Sequence, residues 1–265
     1  MSKHNYPSKY IHYFKENLGI NLMADERQRE YVESIIAPIE EVKAVFCDSD
    51  AGTGKTFLAV QTAYQMYESG EISKIIYVRN ALGLRDQGFL PGELEQKEYH
   101  YMRPLIDSLN KYGQEIFEKL IKAKAIECST TTFLRGVNYG EKAVLIIDEA
   151  QNFDLNELQT ILTRPEELVK VVVIGSSKQV DDKYIKRYGK EKLIPFQVYQ
   201  RHFELNKEVK TKNIKLKTNY RGPFSAYADN ILLTVRALEA ETTYDMYQLK
   251  KMNEEQIETF HKNNP

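Results

Sequence analysis

Short runs of apolar, mostly β-branched residues recur along the middle of the chain: Ala44 to Cys47, Ile75 to Val78, Ala125 to Cys128, Val144 to Ile147 and Val171 to Ile174. Each is apolar at consecutive positions, the pattern of a strand covered on both faces, and longer stretches of helical character separate them. Upstream, Asp25 can cap a helix from Glu26 to Ile36 whose stripe is Tyr31, Val32, Ile35 and Ile36, and Pro38 ends it. A last strand is expected at Ile214 to Lys217, followed by Pro223 to Leu238 and a polar helical tail. The pattern predicts an α/β fold with a mostly parallel sheet and helices on both faces. We divide the chain into a helical extension (1–40), a core (41–240) and a helical tail (241–265).

Composition narrows this only slightly. The 265 residues are 42% hydrophobic and 28% charged, a globular balance, and the net charge of -1 argues against a diffuse polycationic binder. The longest apolar run, Ala143 to Ile147, is too short to span a membrane. Met1 to Tyr10 carries no secretory pattern, and Cys47 and Cys128, each within a short apolar run, read as reduced core thiols of a cytoplasmic protein.

Candidate chemistry begins after the first strand. Ser49-Asp50-Ala51-Gly52-Thr53-Gly54-Lys55-Thr56 joins it to a helical stretch from Phe57 to Tyr64. A glycine-bearing loop between strand and helix N-terminus presents backbone N–H groups to polyphosphate, as G-x-x-x-x-G-K-[ST] requires. Lys55 would bridge the β- and γ-phosphates of ATP, and the Thr56 hydroxyl would hold Mg²⁺. Ser49 stands where the motif has its first glycine, which requires ordinary backbone torsions at that position.

The run ending at Ile147 continues as Asp148-Glu149-Ala150-Gln151-Asn152. Carboxylates at the carboxyl end of a buried strand lie where open α/β sheets collect ligands. Asp148 would hold Mg²⁺, and Glu149 would orient and deprotonate the attacking water. A carboxylate following the metal residue suits hydrolysis rather than transfer to a small molecule. The alternative is an acidic helix cap. Gln151 can sense a γ-phosphate or simply be a solvated helix residue.

Taken in order, Ala51-Gly52-Thr53-Gly54-Lys55-Thr56, Gly88-Phe89-Leu90-Pro91-Gly92-Glu93-Leu94, Tyr101-Met102-Arg103-Pro104-Leu105, Phe133-Leu134-Arg135-Gly136, Asp148 to Asn152 and Leu162-Thr163-Arg164 resemble the PhoH family of ATPases over roughly residues 28 to 182. The resemblance implies a RecA-like, P-loop NTPase core related to superfamily 1 helicase motors, assembly into a homo-oligomeric ring such as a hexamer, and association with RNA. Gln28, with Tyr31, matches the position that recognises adenine in such cores, and Arg103 and Arg135 match family arginines near nucleotide or nucleic acid. Where the family usually shows Gly-Asp and Thr-Gln, this chain has Gly175-Ser176-Ser177-Lys178-Gln179; Gln179 keeps the polar sensor position and Ser176 replaces an acid.

Leu216-Lys217-Thr218-Asn219-Tyr220-Arg221 resembles the Asn-Tyr-Arg motif of superfamily 1 helicases, which makes Arg221 the candidate arginine finger, for its own ATP or a neighbouring subunit's. Between Lys183 and Arg221 stand 12 Lys and Arg against three Glu, with Tyr184, Tyr188, Phe196, Tyr199, Phe203 and Tyr220 interleaved. Lysines for phosphates and aromatics for base stacking make a combination suited to RNA or single-stranded nucleic acid; a solvated lysine-rich insertion has the same composition. The function expected is Mg²⁺-dependent ATP hydrolysis coupled to such a strand. The alternative is a weakly hydrolysing or non-hydrolysing adaptor gated by nucleotide.

Overall fold

The structure, a computed structural model of the chain, describes residues 6–80, 94–111, 115–129, 141–180, 184–188, 190–206 and 208–240, with scattered positions between 250 and 259. Strands β1 (Ala44–Asp48), β2 (Lys74–Arg79), β3 (Ile126–Ser129), β4 (Ala143–Asp148), β5 (Val169–Gly175) and β8 (Thr211–Ile214) form a six-stranded sheet in the order β3-β2-β4-β5-β1-β8. Every neighbouring pair is parallel. A separate antiparallel hairpin, β6 (Lys186–Tyr188) and β7 (Glu191–Leu193), was not foreseen from the sequence. The fold is of the expected α/β class with a parallel sheet.

Each inner strand sends alternate side chains to two cores, as the period of two dictates. Val45, Cys47, Ile75, Tyr77, Val144, Ile146, Val172 and Ile174 face a core shared with α1 (Tyr6–Leu18), α2 (Glu26–Ile36), α3 (Lys55–Glu68), α4 (Leu94–Asn110) and α5 (Ile116–Lys122). Phe46, Ile76, Val78, Leu145, Ile147, Val171 and Val173 face a second, smaller core closed by Phe153, α6 (Leu155–Leu162) and α7 (Pro195–Glu204). Tyr10, Phe14 and Leu18 of α1 are buried in the first core, where α1 packs against α2 and α3.

Helix α2 has the predicted bounds. Asp25 accepts hydrogen bonds from the amides of Arg27 and Gln28, and the helix ends one residue before the Ala37–Pro38 pair. Lys170, on β5, is buried and donates to the carbonyls of Ala37 and Val42, closing this end of the helix against the sheet. Burial pushes its ammonium down to about 8.

The last strand lies earlier than expected. It occupies Thr211–Ile214, not Ile214 to Lys217, and it pairs with β1 from Ala44↔Thr211 to Cys47↔Ile214. As an edge strand it leaves Lys212 and Asn213 exposed, so it lacks the continuous apolar run that marks the inner strands. Ile214 and Leu216, the residues that suggested a strand, are buried against the first core as the chain leaves the sheet. Helices α8 (Pro223–Ala228) and α9 (Ile231–Ala240) follow. Most of the 241–265 tail lies outside the described residues.

Candidate functional site at the carboxyl edge of the sheet

Strand β5 stands between β1 and β4, so the loops leaving these three strands converge on one edge. After β1 the chain turns through Gly52 (φ 75°) and Gly54 (φ 82°), both left-handed, and Gly54 opens α3 without a side-chain cap. A side chain at Gly52 would also meet the Asn219 amide oxygen at 2.7 Å. Gly52 therefore requires glycine on two counts, torsion and space, and Gly54 on torsion alone. Ser49 has no such torsion, and its buried hydroxyl accepts a 2.8 Å hydrogen bond from the Leu216 amide. The departure from the motif is thus an added tie between the phosphate loop and the segment after β8.

Lys55, the first residue of α3, donates its Nζ to the Asp50 carbonyl at 3.2 Å, and the Thr53 hydroxyl donates to the same carbonyl at 2.9 Å. The Thr56 hydroxyl donates to Asp148 Oδ1 at 3.1 Å. Asp148 is buried at the end of β4; its Oδ1 also accepts from the Glu149 amide at 3.0 Å, and its Oδ2 accepts from the Tyr77 hydroxyl at 2.6 Å. Tyr77 comes from β2, next to β4 in the sheet. Burial first, and then the negative charge of Asp148, holds the Tyr77 phenol well above its ordinary range, so it remains a donor.

Glu149 adopts φ 55° and ψ 42°, a left-handed conformation uncommon for a side-chain-bearing residue. Its carboxylate accepts from the Gln151 amide and lies 3.7 Å from Arg79 Nη2. Gln151 uses its other end to accept the Ser176 amide at 3.0 Å, tying the β4 and β5 loops together. The buried Ser176 hydroxyl has no hydrogen-bond partner among the described residues. Ser177 donates its amide to Asp48 at 2.8 Å, and Lys178 pairs with Asp50 at 2.6 Å.

The Asn-Tyr-Arg segment covers the loop of its own chain. Tyr220 donates its amide to the Gly52 carbonyl at 2.8 Å, and the Asn219 amide donates to the Ala51 carbonyl at 2.8 Å. The Tyr220 hydroxyl donates to Asp25 at 2.9 Å, giving the α2 cap a third partner on its other oxygen. Burial, followed by the Asp25 charge, raises that phenol. Arg221 is exposed, and its Cγ lies 3.0 Å from where a Gly52 side chain would begin. Gln28 is buried, with its amide donated to the Thr53 carbonyl at 3.2 Å, so it contacts the phosphate loop itself. Gln179 is held by Asp229 at 3.1 Å. Arg103 is elsewhere, on the solvent face of α4 beside Asp107 at 3.6 Å. The Gly88 to Gly92 block and Arg135 lie outside the described residues.

The model of the family described as "PhoH-like protein" matches residues 22–227. The chain belongs to the PhoH family. The PhoH-like protein of Bacillus subtilis (strain 168) is 38% identical over 156 residues, which is 58% of this chain and 47% of that protein. Protein PhoH of Escherichia coli (strain K12) is 32% identical over 164 residues, 60% of this chain and 45% of that one. The chain therefore spans about half the length of these PhoH relatives. Among solved structures, the Pif1 helicase from Candida albicans is similar at a TM-score of 0.36 and 20% identity, over 77% of this chain and 43% of that one. The flagellar accessory protein FlaH from Methanocaldococcus jannaschii gives 0.34 and 12%, over 62% and 80%.

The basic stretch of this PhoH chain divides into two populations. Phe196 is fully buried, and Phe203 packs on Phe46 with ring centroids 5.6 Å apart and on Tyr199 at 6.5 Å. Tyr184 is buried as well. Phe196, Tyr199 and Phe203 thus serve the second core, which corrects the expectation of base stacking for these three, whereas the Tyr188 side chain lies outside the described residues. Lys186, Arg187, Lys190, Lys192, Arg201, Lys210, Lys212, Lys215 and Lys217 stay exposed. A groove of about 280 Å³ at this edge is lined by Gln197, Gln200, Arg201, Asn213 and Lys215, among others. Among the described residues, no helix is long and apolar enough to cross a membrane.

Proposed function

We propose that the chain binds ATP with Mg²⁺ at this edge and hydrolyses it, with turnover coupled to RNA or single-stranded nucleic acid. The observation that carries the reading is the junction of Thr56 and Asp148 at 3.1 Å, which joins the end of the phosphate loop to the end of β4. A hydroxyl and a carboxylate oxygen are the hard donors Mg²⁺ takes, and the ion commonly completes its shell with phosphates and water rather than an all-protein cage. When bound, the ion neutralises charge on the phosphate oxygens.

The chain's own groups then have distinct tasks. Amides from Ala51 to Thr56 cradle phosphate oxygens, and Lys55 supplies a fixed positive charge. Glu149, oriented by Gln151 and Arg79, accepts the proton of the attacking water. Gln28 braces the loop through Thr53, Gln179 stands at the sensor position, and Arg221, already over Gly52, is the finger for its own nucleotide. The test is phosphate release at saturating ATP from wild type and Glu149→Gln. Equal rates would remove the hydrolase reading and leave the nucleotide-gated adaptor.

Coupling to a polynucleotide rests on the exposed cations, since Phe196, Tyr199 and Phe203 are packed on the second core. Affinity for single-stranded RNA falls as salt rises, and replacing Lys212, Lys215 and Lys217 together by Ala lowers the slope of log K against log salt by about two, at roughly 0.7 per phosphate contact. Absence of RNA binding at low salt would take the polynucleotide out of the account. Ring assembly and a cytoplasmic site of action belong to the same proposal; mass in solution tests the first.

A further inference from the structure

The carboxylate of Asp229 stands on the phosphate loop. One oxygen accepts from the Ala51 amide at 3.4 Å and the other from the Gln179 side-chain amide at 3.1 Å. The next residue, Asn230, is buried and accepts at 3.3 Å from Lys178, which is itself paired with Asp50 inside the loop. Two consecutive residues at the junction of α8 and α9 thus engage the loop amide, the sensor glutamine and the loop's companion lysine. The remainder of that segment is loosely seated: Ala226 and Asn230 are buried, whereas Phe224, Tyr227, Ile231, Leu232, Val235 and Leu238 are exposed. Its described attachment is polar, and elements with few buried apolar contacts open at low cost.

We propose that Asp229 is an acidic latch that regulates the nucleotide site: it occupies a loop donor that a triphosphate needs, and ATP binding displaces it together with the α8–α9 segment. The proposal rests on the reading of this edge as an ATP site. An amide in a phosphate loop serves one anion at a time, and a carboxylate repels phosphate oxygens brought to the same donors. Displacement also frees Gln179, so one event clears the loop and releases the sensor. The apparent affinity for ATP is lowered by the fraction of time the latch is closed, and by linkage anything that holds α8–α9 away from the loop tightens ATP.

The experiment is a titration of wild type, D229A and D229N with ATP, ADP and AMP in Mg²⁺, with K55A as the reference for the nucleotide site. D229A should bind ATP about three- to tenfold more tightly, the worth of one ordinary hydrogen bond, since the Ala51 contact is long at 3.4 Å, with AMP unchanged and D229N in between. A contact that only supported the fold would weaken binding when removed, so a gain selective for triphosphate is specific to the latch. ATP added to wild type should speed hydrogen exchange across residues 223–240, and D229A should show that faster exchange without ATP. Unchanged or weaker ATP binding in both variants, with wild type binding normally and K55A not, overturns the latch alone. Equal ATP binding by wild type and K55A, or none by any variant, overturns the nucleotide reading and the latch with it.

Discussion

Two carboxylates flank the phosphate loop, and they are held differently. Asp148 is fixed by Tyr77 from β2, by Thr56 from α3 and by the Glu149 amide, all on elements anchored in the core beneath the sheet. Asp229 reaches the same loop at the end of a six-residue helix whose larger apolar side chains face solvent. The first arrangement is preorganised: its geometry is determined before any ligand arrives, as electrostatic catalysis demands. The second is detachable. The contrast locates motion in the cover and stillness in the strand ends.

Substitutions on the preorganised flank test this most severely. Glu149→Gln keeps size and the loop contacts but removes the base, and it should cut turnover by about 10²–10⁴ while ATP affinity holds. Comparable losses in both would mean that Glu149 shapes the binding site rather than the reaction.

Tyr77→Phe comes next. It leaves the buried Asp148 Oδ2 without its donor, which should cost about 2 kcal/mol of stability, and should move activity to higher Mg²⁺ because the carboxylate is no longer held in place. Alkaline unfolding reads the same contact. The phenol is raised above its ordinary value near 10, so the folded state keeps a proton that the unfolded chain loses. Its contribution is therefore complete below pH 10 and disappears as pH climbs further. The variant should unfold with a shallower dependence above pH 10; an identical profile would deny the contact a role.

Between the two flanks, where the segment after β8 is tied to the loop, Ser49→Ala should give the smallest change, about 1 kcal/mol, as the Leu216 amide loses its acceptor. The sharper readout is local: exchange of that amide should accelerate while those of β4 stay protected. If β4 exchange rises equally, the two flanks are one cooperative unit and the comparison fails.

The sequence reveals the first flank more readily than the second, for physical reasons. Asp148 and Glu149 directly follow an apolar run, and the glycines, Lys55 and Thr56 sit at fixed spacing within one turn of chain, so a local pattern is enough. Inner strands are apolar on both faces and show plainly, whereas β8, polar at Lys212 and Asn213, does not. Tyr77 reads as an ordinary core residue until β2 is laid beside β4. Ser49 and Leu216, or Ala51 and Asp229, are distant in sequence, and no periodicity connects them. The buried Phe196 and Phe203 show the opposite failure: aromatics among lysines suggest stacking on bases until the second core accounts for them.

The position of β1 has a consequence for the order in which the protein is made. This strand carries the phosphate loop, yet its two neighbours are β5 and β8, which pair with it at Val171 and Thr211. Neither has been synthesised when Lys55 leaves the ribosome. The segment that would grip a nucleotide thus waits as an open-edged strand until Leu216 and Tyr220 arrive to close over it, and long-range parallel pairing of this kind is slow to form. Nucleotide competence is therefore among the last properties the growing chain acquires, and a ribosome stalled before Thr211 would hold a nascent chain with the complete motif and no working site.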